Sequence, residues 1–317
     1  MRHHALPSEL GAAFSVRGAQ ALGVGEGRLR GRDLVRPFSG VRMTSLPQSL
    51  RDACVAYATR MHPEHFFSHT TAAYLWGAPL PANATATLHV SAIVPVKGPG
   101  REGVEGHRMS DREIAPVMLG GLRVADAAST FLQSATLLRL DDLVAVGDHL
   151  TLEPAFPEPG RPFTTIEEIR GRLADSRSHG ANKATRAIAL VRQGAESRPE
   201  TLVRLAVRRF GLPEPLLGSV LRTSAGAFIA RLDMDYPDFG VAVEYDGDQH
   251  RTSTSQYEKD MVRLDAVRRA GREVVRIRKS GLANDALPAA VAVARALAAA
   301  GCAPAARALS RFPSRNR

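Results

Sequence analysis

Cysteine is nearly missing from this chain of 317 residues, which has only Cys54 and Cys302, far apart. That excludes a disulfide framework and a cysteine-based zinc site, and the usage fits a reducing compartment. Aromatic residues make up only 5% of the sequence, too few for a paired stacking platform of the kind that reads single-stranded RNA. Long apolar runs are also lacking. The most apolar stretch, near 286–308, is dominated by Ala and interrupted by Arg295 and Arg307, so it reads as a surface-packed helix and not as a membrane span. The opening MRHHALPSEL has no apolar run of the signal-peptide type. The expected location is the cytoplasm, with no membrane contact, and no internal repeat is visible.

Acidic residues are in deficit: 32 Asp+Glu stand against 42 Lys+Arg, a net charge of +10. Most of the excess is Arg, whose planar fork suits phosphate oxygens. A high-GC genome, which favours Arg and Ala codons, explains the same bias, so charge alone raises nucleic-acid binding only modestly. The balance of 44% hydrophobic and 23% charged residues is that of a globular protein, and the length suits two domains, or two plus a small third.

Five regions are expected along the chain. In 1–45, AFSVRGAQALG and GEGRLRGRDL read as two short helices and VRPFSGVRM as a small hairpin with Ser39-Gly40 at its tip. That is the order of a winged helix-turn-helix; a generic helical subdomain is the plainer reading. Region 46–150 reads as a small α+β domain. It holds a helix from Ser68 to Gly77, strands TLHVSAIV and GVEGHRM, and then a short strand and two helices within 121–152. Its His69, His89 and His107 are scattered, with no carboxylate at ligand spacing, so strand or capping histidines are expected rather than a metal site. Region 151–181 is rich in Pro and Gly and reads as a linker, with Thr165 and Glu168 at capping-box spacing near its end. Region 182–282 is the last domain, and 283–317 is an Ala-rich helix with a basic, frayed tail.

The chemistry concentrates in 196–280. Ser197, Pro199 and Glu200 open a helix as N-cap, first-turn proline and capping-box acid, which gives Glu200 a complete structural explanation. In FIARLDMDYP, alternation puts Ile229, Arg231, Asp233 and Asp235 on one strand face. In FGVAVEYDGDQH, Val241, Val243 and Tyr245 point one way and Ala242, Glu244 and Asp246 the other. A hairpin turning at Pro237–Gly240 would set Asp233 beside Glu244. Like charges so placed repel, and a cation between them relieves the repulsion. The segment SQYEKDMVRLDAVRRAG follows as a helix with Tyr257, Met261 and Leu264 as its stripe, closed by Gly271. REVVRIRKS is a final strand with Arg276 and Arg278 sharing one face. Converging carboxylates with arginines nearby are the means of holding Mg²⁺ for phosphodiester hydrolysis.

Residues 196–280 resemble the PD-(D/E)XK nuclease superfamily, in the domain-of-unknown-function branch related to very-short-patch-repair endonucleases. The matching series is Ser197–Glu200, Arg231–Asp233, Val243-Glu244-Tyr245-Asp246-Gly247 with His250, Asp260–Arg263, and Val274 to Arg276. The resemblance implies a restriction-endonuclease-like mixed sheet flanked by helices. It also implies Asp233 and Glu244 as ligands of Mg²⁺ or Mn²⁺, with Glu200 supporting the metal or its water. Asp246 replaces the superfamily lysine, as is usual in this branch, and leaves the general base open. His250, with a pKa near neutrality, and a metal-bound hydroxide are the rival candidates.

The N-terminal two-fifths resembles the AbiEi-type antitoxins of type IV toxin–antitoxin systems. The resemblance rests on 12–45, on HTTAAYLWGAPLP (69–81), LHV (88–90) and GHR (106–108), and on GLRVADAASTF (121–131). It implies DNA contact by Arg28, Arg30 and Arg32 on the second helix and by Arg36 or Arg42 on the wing. Arg231, Arg276 and Arg278 are the further DNA candidates beside the acids. The expected fold is thus α/β: a nuclease-like domain preceded by a winged helix-turn-helix and a small α+β domain. The expected function is a metal-dependent DNA endonuclease in repair or defence against mobile elements. The alternative is a DNA-binding regulator or antitoxin whose nuclease fold is a scaffold, and an RNA-directed nuclease ranks below both. A toxin or repair partner and the oligomeric state stay open.

Overall fold

The computed structural model describes residues 5–100, 103–110, 114–176, 178–247 and 254–311. The protein is mixed α/β and divides into two compact units, Met1–Leu138 with Glu167–Ala184, and Arg139–Ile166 with Thr185–Arg317.

The first unit opens with β1 (Ala13–Ser15), α1 (Val16–Ala21), α2 (Glu26–Leu29) and β2 (Val41–Met43). Residues 13–15, expected as helix, are a strand because they pair antiparallel with β2. Ser15 then caps α1 by accepting from the Gly18 N–H. Val35 and Met43 exchange backbone hydrogen bonds, which closes the basic hairpin. Phe14, Ala19, Leu29 and Leu34 pack beneath.

The larger part of this unit comprises α3 (Leu50–Ala58), β3 (His65–Phe67), α4 (His69–Leu75), β4 (Leu88–Ile93), β5 (Val104–Met109), β6 (Val117–Leu119), β7 (Leu122–Val124) and α5 (Ala127–Ser134). The five strands lie in the order β5-β4-β3-β7-β6. Strands β4 and β5 are parallel, as are β3 and β7. Phe66, Phe67, Val90 and Val124 fill the core, and the Trp76 indole N–H donates to the Ala125 carbonyl at 2.9 Å.

The second unit begins with α6 (Leu140–Thr151). Pro and Gly content places the break after residue 150, but packing places it before α6. Asp148 of α6 and Arg204 of α9 (Arg198–Arg209) form a fully buried ion pair at 2.9 Å. Asp142 pairs with Arg198 at 2.6 Å, and Asp141 with Arg209 at 2.7 Å. The stretch expected as a linker carries α7 (Ile166–Asp175), which from Glu167 on belongs to the first unit and whose Ile169 is buried. Helix α8 (Ala181–Ile188) follows.

The remaining elements are β8 (Leu216–Arg222), β9 (Phe228–Tyr236), β10 (Val241–Asp246), α10 (Thr254–Arg269), β11 (Glu273–Arg278), α11 (Ala283–Ala299) and α12 (Ala303–Ser310). Their sheet is mixed, in the order β11-β10-β9-β8, with β10 and β11 parallel and the other pairs antiparallel. Strand β8 is one that the sequence pattern did not mark. Val203 and Val207 of α9, Met234 and Val243 of the sheet, and Val293 and Leu297 of α11 share the main core. Val267 of α10 joins a second cluster with Ala230, Leu232 and Ala242. Lys279–Ala299 is apolar and long enough to cross a membrane by length and composition; here one face of α11 is buried in the main core. Before its right-handed turns, Asn284, Asp285 and Ala286 take left-handed φ values of 50°, 54° and 59°. Arg139 holds the Asp285 side chain at 2.9 Å and Arg209 its carbonyl at 3.0 Å, which offsets part of the cost of that backbone. Both cysteines are buried and free.

Candidate active site

The alternation in 228–246 produces the expected hairpin. Strand β9 ends in a 3-10 turn at Pro237–Phe239, and Gly240 (φ 62°) reverses the chain into β10. A Cβ on Gly240 would lie 2.9 Å from the Gly271 carbonyl oxygen, so glycine is needed there for space as well as conformation. The ladder pairs Val241 with Tyr236, Ala242 with Asp235 and Val243 with Met234. One step further the strands part, and Asp233 reaches across with its side chain. Its Oδ2 accepts the Tyr245 backbone N–H at 2.8 Å.

Glu200 approaches from the first turn of α9. Ser197 caps the helix, accepting from the Glu200 N–H at 3.4 Å and donating its hydroxyl to Glu200 Oε1 at 2.6 Å. The second carboxylate oxygen accepts from the Glu196 N–H at 2.9 Å. The capping role is therefore real, and it also holds in place the buried carboxylate whose charge reaches Asp233.

Burial pushes the Asp233 carboxyl up to about 7, reinforced by the charges of Glu200 and then Glu244, against the Tyr245 N–H and Arg263. Burial also raises Glu200, opposed by the Ser197 hydroxyl and the Glu196 N–H. Asp233 thus senses both other carboxylates in a largely dehydrated spot; among the described residues, however, the three acids do not bring their oxygens as close together as the ligand atoms of His89, Glu105 and His107, which lie within 4.8 Å of one another. Glu244 has a counter-charge that the sequence motif contained without assigning it a role. Arg263 of α10 donates both arms of its guanidinium, at 2.7 and 2.6 Å, and this contact is the main reason its own pKa is raised.

The remaining candidates fall into separate groups. Parallel pairing sets Glu244 beside Arg276 and Asp246 beside Arg278. Asp246 pairs with Arg276 at 2.9 Å and Arg278 at 3.7 Å. Arg231 donates to the Gly218 carbonyl at 3.1 Å and pairs with Glu196. Asp235, on the same face by alternation, is held by Arg272 at 2.9 Å. His250 lies outside the described residues.

In the first unit, Arg28 makes a two-pronged contact with Asp33, at 3.0 and 2.8 Å. Arg42 donates to the Leu29 carbonyl at 2.7 Å and to the Val41 carbonyl at 2.9 Å. Arg28 is thus engaged with the loop after α2, and Arg42 ties the hairpin to the end of α2. Arg30, Arg32 and Arg36 are exposed, although Arg30 pairs with Glu26 at 2.7 Å.

One expectation is overturned. The histidines of this unit are not scattered: His89, Glu105 and His107 come together. The carboxylate at ligand spacing is Glu105, two residues before His107 and opposite His89 in the β4–β5 register. The Glu-Gly-His run on a strand was the available signal.

No family model, curated protein or solved structure matches the chain. The reading of function therefore rests on the geometry above.

Proposed function

We propose that the chain is a Mg²⁺-dependent DNA endonuclease, with a restriction-endonuclease-like second unit and DNA-contacting arginines in the first. The observation that supports this reading is Asp233, buried under the charges of Glu200 and Glu244 and with its carboxyl pushed up to about 7. Such a cluster is costly without a cation, and its donors are all carboxylate oxygens, the set that a hard divalent ion takes. The residues fit the ion: Asp233 and Glu244 would hold it, with Glu200 beside them. Bound there, it would supply Lewis-acid polarisation of a phosphodiester and activation of water.

The chain's own groups divide the remaining tasks. Arg276 and Arg278 stand on the same sheet face as the acids, and the side chain of Arg278 is 65% exposed, which suits it to a phosphate oxygen. Arg263 holds Glu244 in place. Ser197 and the Glu196 N–H orient Glu200. Arg30, Arg32 and Arg36 are the exposed candidates for backbone contacts to DNA in the first unit.

The test is cleavage of supercoiled plasmid with Mg²⁺, Mn²⁺ or EDTA by wild type and Asp233→Asn. Metal-dependent nicking by wild type, lost in the variant, is expected. Equal cleavage by both proteins would sink the site assignment.

A second reading is a DNA-binding regulator or antitoxin with a non-catalytic nuclease fold. It is favoured by the Arg263–Glu244 pair, which neutralises one acid without a metal. It predicts metal-independent, sequence-specific binding in a shift assay and no cleavage.

A further inference from the structure

We propose that His89, Glu105 and His107 form a binding site for a borderline-soft divalent cation, with Zn²⁺ as the probe. The site lies in the first unit and is independent of the acids on Asp233's sheet.

Strands β4 and β5 run parallel, with His89 opposite Glu105 and Ser91 opposite His107. The two-residue period of each strand therefore puts all four side chains on one sheet face. His89 Nδ1 lies 3.0 Å from His107 Nε2 and 3.7 Å from Glu105 Oε2. One ligand atom from each of the three residues lies within 4.8 Å of the others. In a tetrahedral zinc site, bonds of about 2.0–2.1 Å put neighbouring ligand atoms about 3.3 Å apart. The two measured separations bracket that value, and the exposed Glu105 side chain is free to close the third. Two imidazoles and one carboxylate favour Zn²⁺ over Mg²⁺ or Ca²⁺, and three protein ligands leave a fourth position open.

The surroundings are built to hold these rings. His69 stacks on His107 with centroids 3.8 Å apart. Its Nδ1 is 3.0 Å from Ser68 Oγ, which receives the Ser91 hydroxyl at 2.7 Å. His69 itself sits in the left-handed region (φ 52°), its N–H bonded to Gln133 Oε1 at 3.1 Å. A non-glycine residue there is strained and is retained where the site over-determines it. Between Glu105 and His107, Gly106 has no room for a side chain: a Cβ would lie 1.4 Å from the Pro99 carbonyl oxygen. That close approach fixes the strand at the ligands. Burial keeps both ligand imidazoles below their ordinary pKa, against the pull of Glu105, and the neutral ring is the form that ligates.

The experiment titrates Zn²⁺ into the full-length, EDTA-stripped chain against a chromophoric chelator. The variants are Glu105→Gln, His107→Gln and Asp233→Asn, each checked by thermal melting. With excess Mg²⁺ present to occupy the acids around Asp233, one Zn²⁺ per chain is expected for wild type and for Asp233→Asn. Glu105→Gln and His107→Gln should weaken binding by more than about 100-fold, beyond the effect of an outer-shell change. Glu105 is solvent-facing, so its variant stays folded and keeps the test decisive even if His107→Gln does not fold. Wild type without bound Zn²⁺ would overturn the proposal. So would wild-type affinity in Glu105→Gln, or binding that disappears in Asp233→Asn.

Discussion

Arg263 grips Glu244 with both guanidinium nitrogens, at 2.7 and 2.6 Å, while Asp233, one step past the last ladder pair on the facing strand, has its carboxyl pushed up to about 7 by burial. Below that pH one acid is therefore neutralised by an arginine and its neighbour by a proton. Both are means of holding carboxylates together without a metal.

Removing the arginine should expose that balance. Arg263→Gln is expected to destabilise the metal-free chain by about 1–2 kcal/mol, the value of a charged hydrogen-bonded pair discounted for its 36% exposed guanidinium. Millimolar Mg²⁺ should raise the melting temperature of the variant more than that of wild type. Equal Mg²⁺ shifts would mean that no cation reaches Glu244.

The Asp233 proton sets a pH slope. A carboxyl whose folded pKa is raised contributes stability that is complete below the ordinary carboxylate range and lost as pH rises toward about 7. In EDTA, urea midpoints should fall between pH 5 and pH 8, and Asp233→Asn should flatten the fall. Calorimetry in buffers of different ionisation heat should find proton release on Mg²⁺ binding at pH 6 and little at pH 8.5.

The Asp148–Arg204 pair tests the attachment of α6. Both side chains are buried, and Thr201 and the Arg192 N–H also donate to Asp148, each at 2.8 Å. Asp148→Ala should cost about 3–5 kcal/mol in urea unfolding, because the buried Arg204 is left with only the longer contact to Glu214 at 3.6 Å. Asp148→Leu combined with Arg204→Met should cost clearly less than the single change. A milder single than double variant would contradict this account.

Gly106→Ala should destabilise the first unit by about 1–3 kcal/mol, the range for overpacking, since the Pro99 carbonyl must move. Gly100→Ala, with nothing within 4 Å of the added carbon, is the control and should melt like wild type.

The parts legible in the sequence are those that local pattern determines. Alternation and the Pro237–Gly240 turn gave the hairpin and set Asp233 beside Glu244. The Ser-x-x-Glu spacing gave the start of α9, and Gly271 its place at the end of α10. Contacts over long sequence separation were not legible. Arg204 reads as one more charge on a basic helix, and only the packing of α6 against α9 makes it a buried partner of Asp148. The boundary near 150 followed Pro and Gly content, whereas the real one follows the apolar and ion-paired face of α6. The His89–Glu105 pairing depends on a parallel register that no local pattern specifies, so the histidines looked unrelated.

Helix α9 is tied at three heights, through Arg198, Arg204 and Arg209, to acids of α6. Amide hydrogens along it should therefore be among the slowest in the second unit to exchange with solvent, because no short segment of the helix opens without breaking one of these ties. Glu200 rides on that helix and cannot be withdrawn by fraying. Under the proposed nuclease reading, any breathing that admits a substrate to the acids falls to strands β9 and β10 and to α10, where the Arg263 side chain is 36% exposed.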